Sequence, residues 1–293
     1  MAIADRVAPA RFRRAVFVFG TVALLCRIGG AAPAPKPPEL AQLGLPTAAE
    51  TAKLIEQFRN AGLPGDYFLE FELIGLPRRG EGITLQGRWW GSRNDQGALS
   101  RIELTDGVGI SHRLLLQNGE RAAVWRWAGG RVAQIGGADL TAPLVPGVEI
   151  SAFDLQMPFL YWPGAMAERI TRTLGRPSHV FLFPAPPAFA AQHHGITAMR
   201  ANFDTQFNVP MQTEVIADGT VTKTLALLAL KTVEKQTLPK AVDYRNEVTR
   251  DKTRLQITGA ALNLRWPSAL FEPATLAQPA SPPASERITR IAP

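Results

Sequence analysis

The stretch YFLEFELIG, residues 67–75, decides the fold class of this chain. Every second residue from Leu69 to Leu73 is apolar, and the residues between them are glutamates. This is the pattern of a β-strand with one buried face, because successive side chains of an extended chain point to opposite sides. The stretch therefore predicts a strand that lies over a core.

The same period of two recurs through most of the chain that follows, in runs separated by turn residues. Asn118–Gly119, Gly129–Gly130 and Asp218–Gly219 are typical of tight hairpin turns. Ten or more strands and few helices predict a mainly β fold, a large antiparallel curved sheet or incomplete β-barrel with short helical lid segments. The other candidate strands are ITLQGRWW (83–90), ALSRIELT (98–105), GISHRLLLQNG (109–119), ERAAVWRWAGG (120–130), RVAQIG (131–136), ERITRTLGRP (168–177), HVFLFPAP (179–186), TAMRANFDTQF (197–207), QTEVIADGTVTKTLALLALKTV (212–233), LPKAVDYRNEV (238–248) and TRLQITGAAL (253–262).

One helix is predicted before the strands, over residues 48–61. Thr47 and Glu50 have the spacing of a capping box, in which each residue satisfies a free backbone amide of the first turn. Apolar residues then follow at helical spacing, and Gly62 and Pro64 end the pattern.

GVEISAFDLQMPFLYWP, residues 147–163, interrupts the strand pattern with a short, mostly apolar segment. Ser151 followed by Asp154 is typical of a helix N-terminus. Pro158 then ends the helix, because proline has no amide proton to donate, and leaves PFLYWP extended. We interpret the segment as a lid on the concave face of the sheet, and plain core packing is the alternative interpretation.

An open curved sheet with one helix leaves a large apolar surface on its concave face. Core packing is one way to cover this surface, and a lipid-sized ligand is another. We therefore predict that large apolar side chains of the strands and the lid line a hydrophobic cavity. These candidate ligand-binding residues are Leu69, Phe71, Leu85, Trp89, Trp125, Trp127, Phe153, Met157, Phe159, Phe181 and Phe183.

Catalytic motifs are missing from the sequence, which contains no Gly-x-Ser-x-Gly, P-loop, Gly-x-Gly-x-x-Gly or His-Glu-x-x-His pattern. His193 and His194 are adjacent, and adjacent residues of an extended chain point in opposite directions, so we interpret them as loop residues and not as metal ligands. DYRNEVTRDKTR, residues 243–254, is either an anion-binding patch or a solvated strand pair with interleaved charges, and we favour the second interpretation. We predict no enzymatic activity, no cofactor and no metal.

The formal net charge of +7 is concentrated near the N-terminus. Residues 1–31 contain five arginines and one aspartate, so the rest of the chain carries 27 basic and 24 acidic residues, a net charge of +3. A chain this close to neutrality shows no obvious electrostatic footprint for the phosphates of a nucleic acid. Nucleic acid is therefore not a predicted partner.

Residues 1–31 are typical of a secretory signal. Three arginines precede AVFVFGTVALLC (15–26), an apolar run too short to cross a bilayer comfortably, and small residues then favour cleavage after Ala31. Export is predicted, with an uncleaved signal or a lipidated Cys26 as alternative anchors. Cys26 is the single cysteine, so no disulfide is expected.

The rest of the chain divides into three predicted parts. A Pro-rich linker covers residues 32–46, a single β-rich domain covers residues 47–272, and a disordered tail covers residues 273–293. The tail ends in PASPPASERITRIAP, whose composition of proline, serine and alanine is poor in core-forming residues.

The order of several motifs resembles the outer-membrane lipoprotein-sorting proteins, relatives of the periplasmic LolA-like carriers, over about residues 65–265. The motifs are WRWAGGRVAQIGG, PLVPGVEISAFDL, GRPSHVFLFP, MRANFDTQFNVPMQTEVIADGTVTKT and VDYRNEVTRDKTRLQITGAAL. The resemblance implies a LolA/LolB-like incomplete β-barrel that holds lipoprotein acyl chains or phospholipid under a lid, without covalent chemistry. It also implies the periplasm of a Gram-negative envelope and transient membrane contact.

In the carriers an arginine in the cavity holds the lid, and Arg88, Arg126 and Arg169 are the strand arginines to consider here. Two other hypotheses remain. The first is an envelope adaptor or sensor that uses the same fold to bind a protein partner. The second is a secreted hydrolase or metal enzyme around His193, His194 or Asp204.

Overall fold

The computed structural model describes residues 43–107, 109, 111–193, 195–206 and 209–292. Within these residues, fourteen β-strands form one antiparallel sheet, accompanied by four α-helices. The helices are α1 (Ala48–Asn60), α2 (Ala138–Thr141), α3 (Ala152–Gln156) and α4 (Pro187–Gln192). The strands are β1 (Asp66–Leu76), β2 (Ile83–Asn94), β3 (Gly97–Thr105), β4 (Ser111–Gln117), β5 (Ala123–Ala128), β6 (Arg131–Ile135), β7 (Met166–Thr173), β8 (Arg176–Pro184), β9 (Ile196–Asp204), β10 (Pro210–Ala217), β11 (Thr220–Val233), β12 (Gln236–Asn246), β13 (Lys252–Leu264) and β14 (Thr289–Arg290).

The strand order explains why the sheet stays open. It runs β6-β5-β4-β3-β2-β1-β13-β12-β11-β10-β9-β8-β7, and β14 pairs with β13 beside this path. Strands β1–β6 therefore form one meander and strands β7–β13 form a second, and the two meet where β1 pairs with β13. The edge strands β6 and β7 are consecutive in the chain but lie at opposite ends of the sheet, so the connection between them has to cross a face of the sheet. The predicted mainly β fold with a curved, unclosed sheet is confirmed.

Strand β1 shows how the alternating pattern builds the core. Leu69, Phe71 and Leu73 are buried, and the glutamates between them are partly exposed. Leu73 lies opposite Leu85 of β2 and Leu255 of β13. Side chains from both meanders join this cluster, which we call the sheet core, so the face that carries it is concave. Full burial of each such side chain contributes about 1.5–3 kcal/mol.

The predicted first helix is confirmed as α1, which begins after Thr47. The capping box is present, because the Thr47 side chain accepts from the Glu50 amide and the Glu50 carboxylate accepts from the Thr47 amide at 2.8 Å. Ile55 is buried, so one side of α1 packs against the sheet and the rest remains solvated.

The C-terminal tail, residues 266–292, corrects one prediction. It forms short 3₁₀ turns and strand β14, and its side chains Leu276 and Ile288 are buried on the convex back face of the sheet beside Trp90. The prediction that residues 273–293 are disordered is therefore wrong for the described part of the tail. Widely spaced apolar anchors between the prolines supply the burial that its composition did not suggest.

Two buried arginines of the back face hold the tail in place. Arg101 donates to the Thr275 hydroxyl at 3.2 Å and forms an ion pair with Glu103 at 2.8 Å. Arg113 donates to the carbonyls of Leu276 at 3.0 Å and Ala277 at 2.8 Å. The tail backbone is thus satisfied largely by side chains of the sheet and not by a strand ladder.

The predicted signal, residues 1–31, and most of the linker lie outside the described residues, as do Cys26 and His194. In the part of the chain that is described, no helix has the length and apolar character needed to cross a membrane.

Candidate functional site

The connection between the two edge strands crosses the concave face and ties the two meanders together. We call residues 143–163 the strap. At one end the Gln156 side chain donates to the carbonyls of Gln117 at 2.9 Å and Ala123 at 3.2 Å. At the other, the Glu149 amide donates to the Thr253 hydroxyl at 2.6 Å. The segment lies on the concave face as predicted, and its deep burial fits core packing, the alternative interpretation, as well as a closed lid.

Helix α3 is the centre of the strap, and all five of its residues are buried. The predicted cap is confirmed, because the Ser151 hydroxyl accepts from the Asp154 amide and Asp154 accepts from the Ser151 amide at 2.8 Å. The same Asp154 oxygen accepts from Lys223 of β11 at 2.8 Å. One carboxylate therefore caps the helix and joins it to the opposite meander.

The second half of the strap differs from the extended segment that was predicted. Residues Pro158–Tyr161 form a 3₁₀ turn, with Met157 in the left-handed region at φ 50° between it and α3. Pro158 does end α3, but its fixed φ also suits the first position of a new turn. The strap is thus two short turns joined at Met157.

Aromatic side chains form the contact between the strap and strands β8–β10. Phe153 packs against Phe189 of α4 with ring centroids 5.4 Å apart, and Phe159 packs edge to face on Phe183 at 5.2 Å. Trp162 lies 4.8 Å from Phe189. We call this group the strap cluster. Its buried members are Ile55, Phe153, Phe159, Leu160, Trp162, Phe181, Phe183, Met199, Ala201, Phe203 and Val215.

Helix α1 holds the strap from outside through an arginine. The Arg59 Nε donates to the Leu160 carbonyl at 2.7 Å, and its guanidinium lies 4.8 Å from the centre of the Tyr161 ring. Of the strand arginines considered for this role, Arg88 is exposed, Arg126 is half-buried on β5 and Arg169 pairs with Glu168. Arg59, which does bind the strap, lies on a helix and was not among them.

An open cavity of about 410 Å³ lies beside the N-terminus of α3. Its floor is apolar, with Phe153 and Val215 of the strap cluster, and the Asp154–Lys223 pair lies in its wall. This volume is within the range of small-molecule sites. The lining residues are Thr141, Ser151, Phe153, Asp154, Ile196, Val215, Ala217, Thr222, Lys223, Asn246, Val248 and Thr249.

The eleven predicted cavity residues fall into three groups. Leu69, Phe71, Leu85 and Trp89 belong to the sheet core or pack against it. A second group belongs to or packs on the strap cluster: Phe153, Met157, Phe159, Phe181 and Phe183. Phe153 is the member of the eleven that lines the cavity beside α3.

Trp125 and Trp127 form the third group and do not join the other nine. Both point to the back face and pack there with the tail-covered cluster around Trp90. Trp127 lies under the Arg113 guanidinium, 4.1 Å from the ring centre. Alternation correctly puts the two tryptophans on one side of β5, but that side is the one away from the strap.

Two buried ionisable side chains, Tyr244 and His193, lie close to the strap but outside the cavity lining. Burial raises the pKa of Tyr244, and the neighbouring Asp154 carboxylate adds to this shift. Burial lowers the pKa of His193, which stacks on Phe189 with a centroid distance of 3.9 Å. Both groups therefore stay neutral at pH 7, and the charged groups at this cavity wall are the paired Lys223 and Asp154.

Three contributors to the site have no signal in the sequence: Arg59, Lys223 and Phe189. Each acts on the strap from a distant element, and nothing in its local pattern distinguishes it from a surface cation or an ordinary core residue. Within the described ranges, no group of three or more His, Cys, Asp or Glu side chains is placed to hold a metal ion.

Comparison with solved structures identifies the fold. A domain described as an outer membrane lipoprotein-sorting protein domain, from Vibrio parahaemolyticus, matches with a TM-score of 0.69 and 17% identity over 79% of this chain and 100% of that one. A DUF1329 family protein from Desulfovibrio piger matches with a TM-score of 0.65 and 11% identity, over 77% and 97%. A LolA superfamily protein from Nitrosomonas europaea matches with a TM-score of 0.60 and 10% identity, over 76% and 97%.

The sequence itself matches no protein-family model and no curated protein. The chain therefore has the fold of the LolA-like and lipoprotein-sorting proteins, and the resemblance noted from its motifs is confirmed at the level of the fold.

Proposed function

We propose that this protein is a periplasmic carrier that binds the acyl chains of a lipid or lipoprotein beneath the strap, without covalent chemistry. The observation that carries this function is the aromatic contact between strap and sheet, which opens directly into the cavity beside α3. An acyl chain that enters there contacts an apolar floor and reaches the boundary between the strap and the strands beneath it.

The physical case rests on what an acyl chain needs. Each methylene removed from water contributes about 0.8 kcal/mol, and the contact has no directional requirement. A surface of rings and aliphatic side chains such as the strap cluster can therefore accept chains of different length and branching. Release requires that the same surface be uncovered again.

The strap has the features of a cover that can open. Its polar ties include the Lys223–Asp154 ion pair and the Arg59 bond to the Leu160 carbonyl, beside the bonds of Gln156 and Glu149. Met157, in its left-handed conformation, lies between the two turns where a change of backbone angle would separate them. Opening would then move α3 away from β11 while the 3₁₀ turn stays on α1.

The fold comparison supports the same function and its cellular location. One similar structure is described as an outer membrane lipoprotein-sorting protein domain and another as a LolA superfamily protein. A cargo with a lipid anchor fits this likeness. A periplasmic location fits the N-terminal signal pattern of the sequence.

Titration with monomeric lysophosphatidylglycerols of increasing chain length tests the function. Residues 37–293, which include all the described residues, are used for the measurement. Intrinsic tryptophan fluorescence, to which Trp162 of the strap contributes, follows the titration. We expect saturable binding that tightens about fourfold for each methylene that becomes buried. Binding that is absent, or equal for short and long chains, would refute acyl-chain binding and would favour the adaptor that binds a protein partner.

A further inference from the structure

The cavity is bordered by one exposed turn, and a second turn is hydrogen-bonded to the first. Residues 77–82 join β1 to β2, and residues 247–251 join β12 to β13. The Arg78 amide donates to Asp251 Oδ1 at 2.7 Å, so the two turns are held together. We call this pair of turns the rim. Its members Val248 and Thr249 also line the cavity.

The rim exposes aliphatic side chains beside the entrance. Val248 at the tip of the second turn is 73% exposed, the highest value among the large apolar residues of the described chain. Leu76 at the base of the first turn is 39% exposed and lies opposite Lys252. Neither side chain contributes to a core, so their exposure at the entrance needs another explanation.

The charges of the rim are unequal. Glu247 is occupied by Arg250 at 2.7 Å and Arg245 at 3.6 Å. Arg79 is exposed and takes part in no ion pair within the described residues, and the exposed Arg78 guanidinium interacts electrostatically with Asp251. Together with the strand ends that flank them, the two turns carry six cations and four anions: Arg78, Arg79, Arg245, Arg250, Lys252 and Arg254 against Glu81, Asp243, Glu247 and Asp251.

We propose that the rim docks the cavity entrance onto an anionic lipid bilayer. This docking rests on the proposed acyl-chain binding and adds the surface from which the chain is collected or to which it is delivered. Arginines attract the negative headgroups, and Val248 and Leu76 enter the headgroup region between them. An acyl chain can then pass between bilayer and cavity without crossing water.

A bilayer fits this surface better than a protein does. A stable protein interface takes about 800 Å² from each partner, with a packed apolar centre. The rim offers two separated aliphatic side chains on narrow turns, with exposed guanidinium groups on the same two turns. Shallow insertion into a soft, negatively charged layer uses such a surface without the need for a complementary shape.

Vesicle sedimentation tests the docking, with residues 37–293 and phosphatidylcholine vesicles that do or do not contain phosphatidylglycerol. We expect binding to the anionic vesicles alone, weakened by salt. The double substitution Arg78→Ser with Arg79→Ser is expected to lower the partition coefficient about 30-fold. The matched control, Lys231→Ser with Lys235→Ser, removes the same charge at the opposite end of the sheet and is expected to change it far less.

A second readout follows insertion directly. Cys26 is the single cysteine of the sequence, so Val248→Cys in residues 37–293 gives one labelling site. An environment-sensitive dye there is expected to shift to shorter wavelength with anionic vesicles, and a dye at Lys235→Cys is not. No binding by the parent protein, equal losses in the two double variants, or an unshifted dye at position 248 each overturns the docking.

The two proposals fail in different ways. Ala217→Trp fills the cavity from a lining residue that does not belong to the rim, so it is expected to abolish lysolipid binding and to leave vesicle binding intact. Vesicle binding without any lysolipid binding by the parent protein would support the docking surface and refute the acyl-chain site. Lysolipid binding without vesicle binding would support the acyl-chain site and refute the docking surface.

Discussion

The Asp154 carboxylate accepts hydrogen bonds both from the start of α3 and from strand β11. A single oxygen of its carboxylate accepts from the Ser151 amide at 2.8 Å, the Ser151 hydroxyl at 2.6 Å and Lys223 at 2.8 Å. Hydrogen bonds to a charged acceptor contribute about 1.5–3 kcal/mol each, more than neutral ones do. The start of α3 and its attachment to β11 therefore depend on the same negative charge.

Substituting Asp154→Asn is expected to lower the free energy of unfolding by about 2 kcal/mol, because Lys223 loses its partner in a largely buried site. It is also expected to speed lysolipid association, since the strap is then held at fewer points. Urea denaturation and stopped-flow fluorescence measure the two effects. Glu247→Gln, which breaks exposed pairs, is the control and should stay within about 0.5 kcal/mol of the parent.

Two glycines of β2 determine how the aromatic rings of β1 pack on the sheet. A Cβ at Gly87 would overlap the Phe71 ring, and a Cβ at Gly91 would overlap the Tyr67 ring. The rings lie in the space that glycine leaves. Gly87→Ala is expected to destabilise the protein by about 1–3 kcal/mol in urea denaturation, the usual cost of overpacking.

Gly136→Ala is the matched control, because nothing lies within 4 Å of its Cβ position and its φ is not positive. It should leave the stability unchanged or raise it slightly. Equal losses for Gly87→Ala and Gly136→Ala would show that ring packing on β2 is not the cause.

At the scale of elements, α4 links the strap cluster to pH through His193. The imidazole is buried, stacks on Phe189 and has its Nδ1 without a hydrogen-bond partner, so burial lowers its pKa. Burial lowers the pKa of His179 as well. The unfolded chain then binds more protons than the folded one at pH values below about 6.5.

The contribution of these two histidines to stability is therefore expected to be constant above about pH 6.5 and to fall as the pH drops below it. His193→Phe keeps the stacking on Phe189 and removes the titration, so its stability should decline less between pH 7 and pH 5 than that of the parent protein. Thermal denaturation at several pH values measures this difference. An identical decline in both proteins would exclude His193 as a contributor.

The tail is the other element with a clear consequence. Leu276 is fully buried on the back face, so Leu276→Ala is expected to lower the free energy of unfolding by about 2–5 kcal/mol. Leu45→Ala, at an exposed leucine, is the control and should change it by less than about 0.5 kcal/mol. A tail that is disordered in solution would make both substitutions neutral.

Local patterns were sufficient to predict α1, α3 and most strands. The capping boxes of α1 and α3 occupy four consecutive positions each, and the alternation of β1 is visible within nine residues. The Asp218–Gly219 turn has positive φ at both residues, as its type predicts. Glu234–Lys235 adopts the same left-handed conformation without glycine or asparagine, and no sequence signal marks it.

Tertiary contacts decided the rest of the site. Alternation puts Trp125 and Trp127 on one side of β5 but does not say which side faces the strap. The partners Asp154 and Lys223 are 69 residues apart in the chain and meet only because β11 crosses behind α3. The buried anchors Leu276 and Ile288 of the tail have no regular spacing, so composition pointed to disorder.

At the scale of the whole molecule, the open sheet requires the strap, and the strap covers the concave face of the sheet. The two edge strands are consecutive in the chain, so the strap must span the concave face, and its aromatic side chains fill the space that a ligand would occupy. Under the proposed function, the strap cluster would compete with an acyl chain for the same apolar surface, and opening of the strap would exchange one for the other.

Mass spectrometry of the lipid that accompanies the protein is the most direct test of acyl-chain binding. Residues 37–293 are directed to the periplasm of a bacterial host, purified without detergent and extracted with organic solvent, beside Ala217→Trp and the exposed-site control Ala128→Trp. We predict a stoichiometric acyl lipid or lipopeptide with the parent and the control, and its loss from Ala217→Trp. A clean extract from folded parent protein, or the same lipid with all three, would contradict binding beneath the strap.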